Sequence, residues 1–272
     1  MCLTAGGSSS GEGALLGFRG SPLGVGTDIG GSIRCPSLLN GIFGFKPTAN
    51  RLPWSGQQFH FPEGWPGVVP AVGCHAHSAG DLTLFCKTII DAEGWKRDPT
   101  ALYAPWRDVP KRKLNIGVWM GAEDMPVFPP VSRALEMAAK ALGSAGHRVT
   151  TVDTPEEAGL HEVVQSYVQS LSLDNDHTLM KPLEEANEEL TPMIASMKAR
   201  AEEMGPATLD DVWQSNISRD RIRDSWHAAM RKDNLDVILC PGHRAPGSIH
   251  DTYGVPYYTM IWNLLNVSAR RP

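Results

Sequence analysis

Leu114-Asn-Ile-Gly-Val-Trp119 is an apolar run of strand length, and the residues that follow it decide the fold. Pro129 and Pro130 mark a helix start, because proline's fixed φ suits the first turn, where its missing N–H has no partner to lose. Val131, Leu135, Ala138 and Leu142 then recur at helical spacing. Gly143 or Gly146 can end that helix, and Arg148–Val152 reads as the next strand. Strand, helix and strand in this order form a parallel crossover unit. It predicts an α/β protein with a mixed, largely parallel sheet and helices on both faces, a single domain over residues 1–272.

Downstream, residues 155–232 read as mostly helical, and between 151 and 211 acidic side chains outnumber basic ones 14 to three. Such an excess reads as a solvated helical face. Leu235-Asp-Val-Ile-Leu-Cys240 predicts another buried strand, and Tyr258–Val267 a short helix. Upstream, residues 50–112 are rich in proline and tryptophan, and one helix is predicted there, over Ala79–Ile90, with loop around it. Cys74-His75-Ala76-His77 falls in that loop and lacks the ligand count and spacing of a zinc site. Trp54, Phe59, Phe61 and Trp65 read as a packed loop or as the wall of an acyl pocket.

Composition narrows the function. With 25 basic and 30 acidic residues the formal charge is −5, so no polyanion-binding surface is announced and nucleic acid is not expected as a partner. The apolar runs fall short of the roughly 18 residues a spanning helix needs. Nor does Met1–Ser10 carry a basic, then apolar leader. Five scattered cysteines without a CxxC pair read as reduced thiols, and the expected location is cytoplasmic.

The first fifty residues hold 12 of the 27 glycines but only five charged side chains, Glu12, Arg19, Asp28, Arg34 and Lys46. Leu15, Leu16, Ile33, Leu38, Leu39, Ile42 and Phe43 argue that this segment is buried and tightly turned, not a linker. Two clusters stand out, Gly6-Gly7-Ser8-Ser9-Ser10-Gly11-Glu12-Gly13 and Gly26-Thr27-Asp28-Ile29-Gly30-Gly31-Ser32-Ile33-Arg34. Neither has the lysine of a phosphate loop, and the glycine spacing after Gly24-x-Gly26 misses the dinucleotide fingerprint by one residue. Glycines before a serine let backbone N–H groups converge, as an oxyanion hole requires. On the residues alone, a structural turn and a catalytic one both stay open.

The whole stretch from Gly6 to Thr48, GGSSSGEGALLGFRGSPLGVGTDIGGSIRCPSLLNGIFGFKPT, resembles the signature block of the amidase signature family. Its wording is more similar to fungal acetamidases, general amidases and fatty acid amide hydrolase than to the amidotransferase subunit that acts on glutamyl-tRNA. The resemblance implies hydrolysis of the C–N bond of small non-peptide amides. It implies Ser32 as the acyl-forming nucleophile and Ser8, after a cis peptide, as the proton relay. Ile29, Gly30, Gly31 and Ser32 would supply the oxyanion donors, with Ser8 beside the substrate and Asp28 and Arg34 as structural support. Where the family often has a second Gly-Gly pair, this chain has Ser10-Gly11. No metal or cofactor is implied; the partner is a small amide, and a homodimer is left open.

The family's general base is a lysine well upstream of the first serine cluster. Seven residues precede Ser8 and none is lysine; the first is Lys46, where the family has a basic residue of structural duty. The chain thus reads as the middle of an amidase. Loss of one triad member commonly lowers kcat by on the order of 10⁴ to 10⁶, so the polypeptide made alone is expected to be nearly inactive. The alternative is a catalytically inactive amidase-like chain that acts at most as a binding protein.

Overall fold

The computed structural model describes residues 3–57, 64–178, 180–250 and 252–270. Cys2, Phe59 and Phe61, singled out or counted above, lie outside them.

The glycine-rich segment folds first into helix α1 (Ser10–Gly17) and strand β1 (Leu23–Asp28). Helix α2 (Arg34–Asn40) and strand β2 (Phe43–Lys46) follow, joined by Gly41 in the left-handed region at φ 69°. Leu16 and Ile33 are fully buried, as expected of a packed segment, but Leu15, counted with them, is 47% exposed on the outer side of α1. Strand β3 (Ala71–Ala76) then inserts between β1 and β2, antiparallel to both. This strand was expected to be loop, and the Cys74–His77 cluster with it. An interior Gly73 and a buried His75 hide it, because the strand is covered on both faces and shows no alternation of apolar and polar residues.

Helix α3 (Ala79–Asp91) is capped by Ser78, whose hydroxyl accepts the Asp81 N–H at 3.2 Å. It lays Leu82, Cys86 and Ile90 onto Cys74 and Ala76 of β3, forming one core. Strand β4 (Asn115–Val118), helix α4 (Pro129–Ser144) and strand β5 (Arg148–Thr151) then make the expected crossover, with β4 and β5 parallel. Gly146, at φ 86°, follows the helix end. The acidic stretch is helical as expected: α5 (Leu160–Leu171), α6 (Lys181–Glu185), α7 (Pro192–Met204) and α8 (Leu209–Lys232). Glu184, Glu185, Glu188 and Glu189 stand exposed on a solvated face.

Strand β6 (Val237–Leu239) pairs parallel with the other side of β4, and helix α9 (Tyr257–Leu264) and strand β7 (Ala269–Arg270) complete the described elements. The α/β class stands. The described strands form two sheets, however: β5-β4-β6 is parallel, and β1-β3-β2-β7 is antiparallel throughout. Strand β6, expected to be buried, leaves Val237 42% exposed because it is an edge of its sheet.

The larger core gathers around Trp119, which is fully buried just beyond β4. Its ring meets Trp226 of α8 at 5.1 Å and Tyr258 of α9 at 5.4 Å between centroids. Its indole N–H donates to Thr154 Oγ1 at 2.8 Å, which satisfies the one polar atom that burial would strand. Helices α5, α8 and α9 are thereby fixed against the parallel sheet. Among the described residues no helix is long and apolar enough to cross a membrane.

Candidate active site

The two serine clusters meet in space. The Gly7–Ser8 peptide is cis, Ser8 is exposed, and the next N–H, of Ser9, donates to the Ser32 carbonyl at 3.2 Å. Ser32 itself is half-buried, in the turn between β1 and α2.

Asp28, the last residue of β1, organises that turn from below. Its fully buried carboxylate accepts the backbone N–H of Gly31 at 2.8 Å and of Ile33 at 3.1 Å. Arg34 grips both carboxylate oxygens, Nε on Oδ2 at 2.9 Å and Nη2 on Oδ1 at 2.8 Å. Arg34 also reaches α9, donating to the Thr259 carbonyl at 2.8 Å and to Asn263 Oδ1. Burial alone would raise the Asp28 carboxyl, but the charge and hydrogen bonds of Arg34, with Lys46 and Asn263, hold it at about 2. Arg34 is raised in turn despite its burial. Asp28 and Arg34 tie β1, α2 and α9 together.

The oxyanion expectation needs one correction. Gly31 was expected to offer its N–H to the reacting oxygen, but that N–H is committed to Asp28. Two side chains hold the turn from its carbonyl side: the Tyr167 hydroxyl donates to Ile29 O at 2.9 Å, and Thr259 Oγ1 donates to Gly30 O at 2.7 Å. In a trans peptide the C=O and the next N–H point in opposite directions. Tyr167 therefore turns the Gly30 N–H away from α5, and Thr259 turns the Gly31 N–H toward Asp28. The remaining donors are Ile29, Gly30 and Ser32, whose N–H groups bond to none of the described residues. Gly31 sits at φ 140°, and a Cβ there would stand 2.2 Å from Thr259 Oγ1. Only glycine fits.

Tyr167 and Thr259 are neighbours of the turn that sequence reasoning missed. The signal available for Tyr167 was its place on the buried stripe of α5 with Leu160 and Val163. Burial pushes its hydroxyl pKa up, so it stays a donor. Lys46 is 1% exposed, and its ammonium donates to Pro47 O at 3.0 Å. Burial, then the charge of Arg34, pushes it down to about 7, against the pull of Asp28. Tyr258 anchors the 122–125 loop, accepting the Ala122 N–H at 3.2 Å and donating to Met125 O. Of the aromatic residues offered for an acyl pocket, Trp65 lines a cavity of about 280 Å³ together with Val68, Arg219 and Leu264. Neither serine lines it.

The amidase family profile matches residues 2–270, and the chain belongs to the amidase family. An amidase of Gibberella moniliformis is 40% identical over 270 residues, covering 98% of this chain and 50% of that protein. An acetamidase of Emericella nidulans is 31% identical over 281 residues, with 98% and 50% covered. A fatty acid amide hydrolase of known structure superposes with a TM-score of 0.90 at 33% identity, over 99% of this chain and 47% of that one. A bacterial aryl acylamidase of the amidase signature enzymes shares the fold, with a TM-score of 0.80 at 19% identity, over 98% and 59%. The chain spans about half the length of the curated relatives it matches.

Proposed function

We propose that this chain carries the nucleophile of an amide hydrolase acting on a small non-peptide amide, with Ser32 attacking the carbonyl carbon. The observation that carries the reading is the Ile29–Ser32 turn, where carbonyls are held by Tyr167 and Thr259 while three N–H groups stay uncommitted beside a half-buried serine hydroxyl. Negative charge developing on the carbonyl oxygen would rest on the N–H groups of Ile29, Gly30 and Ser32. The Ser32 proton passes to Ser8 and from there to the leaving nitrogen, so that ammonia or an amine departs and an acyl-Ser32 ester remains. Water then takes the place of the amine, releasing the acid and returning the proton to Ser32.

A serine hydroxyl needs a base to lose its proton. By family resemblance that base is a lysine upstream of Ser8, and the buried Lys46 is set on Pro47 and the Asp28–Arg34 pair instead. The reading places no metal or organic cofactor in the reaction.

A fluorophosphonate probe tests this directly. Slow covalent labelling located at Ser32 by peptide mass, abolished in Ser32→Ala and weakened in Ser8→Ala, is the expected result, slow because Lys46 is not placed to act as the base. Labelling that survives Ser32→Ala, or no labelling at all, overturns the proposal for this polypeptide and leaves a non-catalytic, binding role.

A further inference from the structure

We propose that His75 is a positioning residue for the serine pair, its Nε2 joined to the hydroxyl of Ser9 through one bridging water. The inference rests on the reading of Ser8 and Ser32 given above, and it begins with a proton count. Ser37 Oγ donates to Ile33 O at 2.9 Å, one turn back in α2. A hydroxyl has a single hydrogen. If that hydrogen stays on Ile33 O, Ser37 Oγ accepts from His75 Nδ1, also 2.9 Å away, and the proposal places the ring proton on Nδ1. Burial keeps the fully enclosed ring neutral, pushing it down to about 4. Nε2 is left as a bare acceptor.

That acceptor is buried and has no hydrogen-bond partner among the described residues, a state that costs free energy unless something fills it. What faces it is Ser9. A Cβ on Gly26 would stand 2.9 Å from His75 Nε2 and 2.9 Å from Ser9 Oγ, so the two atoms border one small space that exists because residue 26 is glycine. Ser9 is also the N-cap of α1, yet its hydroxyl makes no capping bond, which is the usual use of a serine there. It is the Ser9 N–H that holds the Ser32 carbonyl. Fixing the Ser9 side chain through His75 fixes the distance between the bend that bears Ser8, just before α1, and the turn that bears Ser32.

The test uses the 272-residue chain with ¹⁵N-labelled histidine, the His75 signals being assigned by their loss in His75→Asn or His75→Gln. The expected spectrum shows a protonated Nδ1 and an unprotonated, hydrogen-bonded Nε2 whose resonance moves toward that of a free lone pair in Ser9→Ala. A protonated Nε2, or a resonance indifferent to Ser9→Ala, overturns the proposal. In fluorophosphonate labelling of Ser32, Ser9→Ala and His75→Asn should each slow the rate about tenfold, the worth of one ordinary hydrogen bond, and the double variant no further. His75→Gln, whose amide oxygen can replace Nε2, should recover most of the rate. Additive losses mean that His75 acts elsewhere. A wild-type chain that never labels removes the hydrolase reading, while the spectra still decide the contact.

Discussion

Arg34 and Asp28 close on each other at two points inside the protein, with side chains 6% and 0% exposed. A buried pair of this kind recovers the desolvation of its charges only while both partners are present. Here each partner also serves the backbone: Asp28 takes the Gly31 and Ile33 N–H groups, and Arg34 takes the Thr259 carbonyl. The Ile29–Ser32 turn is thus held by charge beneath it and by α9 behind it.

Asp28→Asn should therefore cost about 3–5 kcal/mol, the loss typical of stranding one buried charge, read as a fall in the urea midpoint. Lys87→Ala, which breaks an exposed i,i+4 pair with Asp91, should barely move the midpoint. The pair also sets an acid limb. Because the folded Asp28 carboxyl is held at about 2, below its ordinary value, its stabilisation is present above the unfolded pKa and is lost as pH falls toward 2. Equal midpoints for the two variants would mean the buried pair is not structural.

Gly31→Ala and Gly11→Ala should behave oppositely. At Gly31 the left-handed φ and the approach of Thr259 Oγ1 exclude a methyl group, so the turn must shift and its N–H groups with it. Labelling of Ser32 should fall on the order of a hundredfold, as when an oxyanion donor is lost. Gly11 lies inside α1 with nothing within 4 Å of a Cβ, and alanine there should add up to about 1 kcal/mol through helix propensity. Labelling of Gly31→Ala at the wild-type rate would show that the turn's conformation does not matter.

Tyr167→Phe removes the hydroxyl that donates to the Ile29 carbonyl and leaves the ring in place. The stability loss should be about 1 kcal/mol, while labelling of Ser32 falls further than that loss explains, because the Gly30 N–H is no longer aimed. Thermal melting and labelling rates on the same preparations separate the two effects. A melting shift with an unchanged rate would assign Tyr167 to packing alone.

Much of this was legible in the residues, for identifiable reasons. The Leu114–Val152 crossover announced itself through Pro129, Gly146 and a helical apolar stripe, all of which act locally. The serine clusters were legible as an uninterrupted block. Strand β3 was not, since a strand buried on both faces with a histidine and a glycine in it has no period to read. The commitment of the Gly31 N–H to Asp28 was also hidden: it depends on the Gly30 carbonyl being taken by Thr259, 229 positions away. His75 looked like loop because its partner Ser37 comes from another element. Local grammar survives in sequence; contacts between distant elements do not.

Lys46 gives the last prediction, and it runs against the usual direction for a lysine. In the unfolded chain an ammonium holds its proton to about 10.4, whereas burial, with Arg34 close by, brings the folded group down to about 7. Between those values the unfolded state binds the extra proton, so stability rises with pH. The clean window is about pH 7 to 8.5, above the ordinary histidine range and below the point where unfolded thiols ionise. There, Cys35 and Cys240, both raised by burial, have not begun to oppose the trend. Over that window the wild-type unfolding free energy should climb by about 1–2 kcal/mol. Lys46→Met, which keeps the length and removes the charge, should be flat across it and more stable than wild type at pH 7. A wild-type profile as flat as the variant's would mean that Lys46 keeps its proton in the folded state at an ordinary pKa.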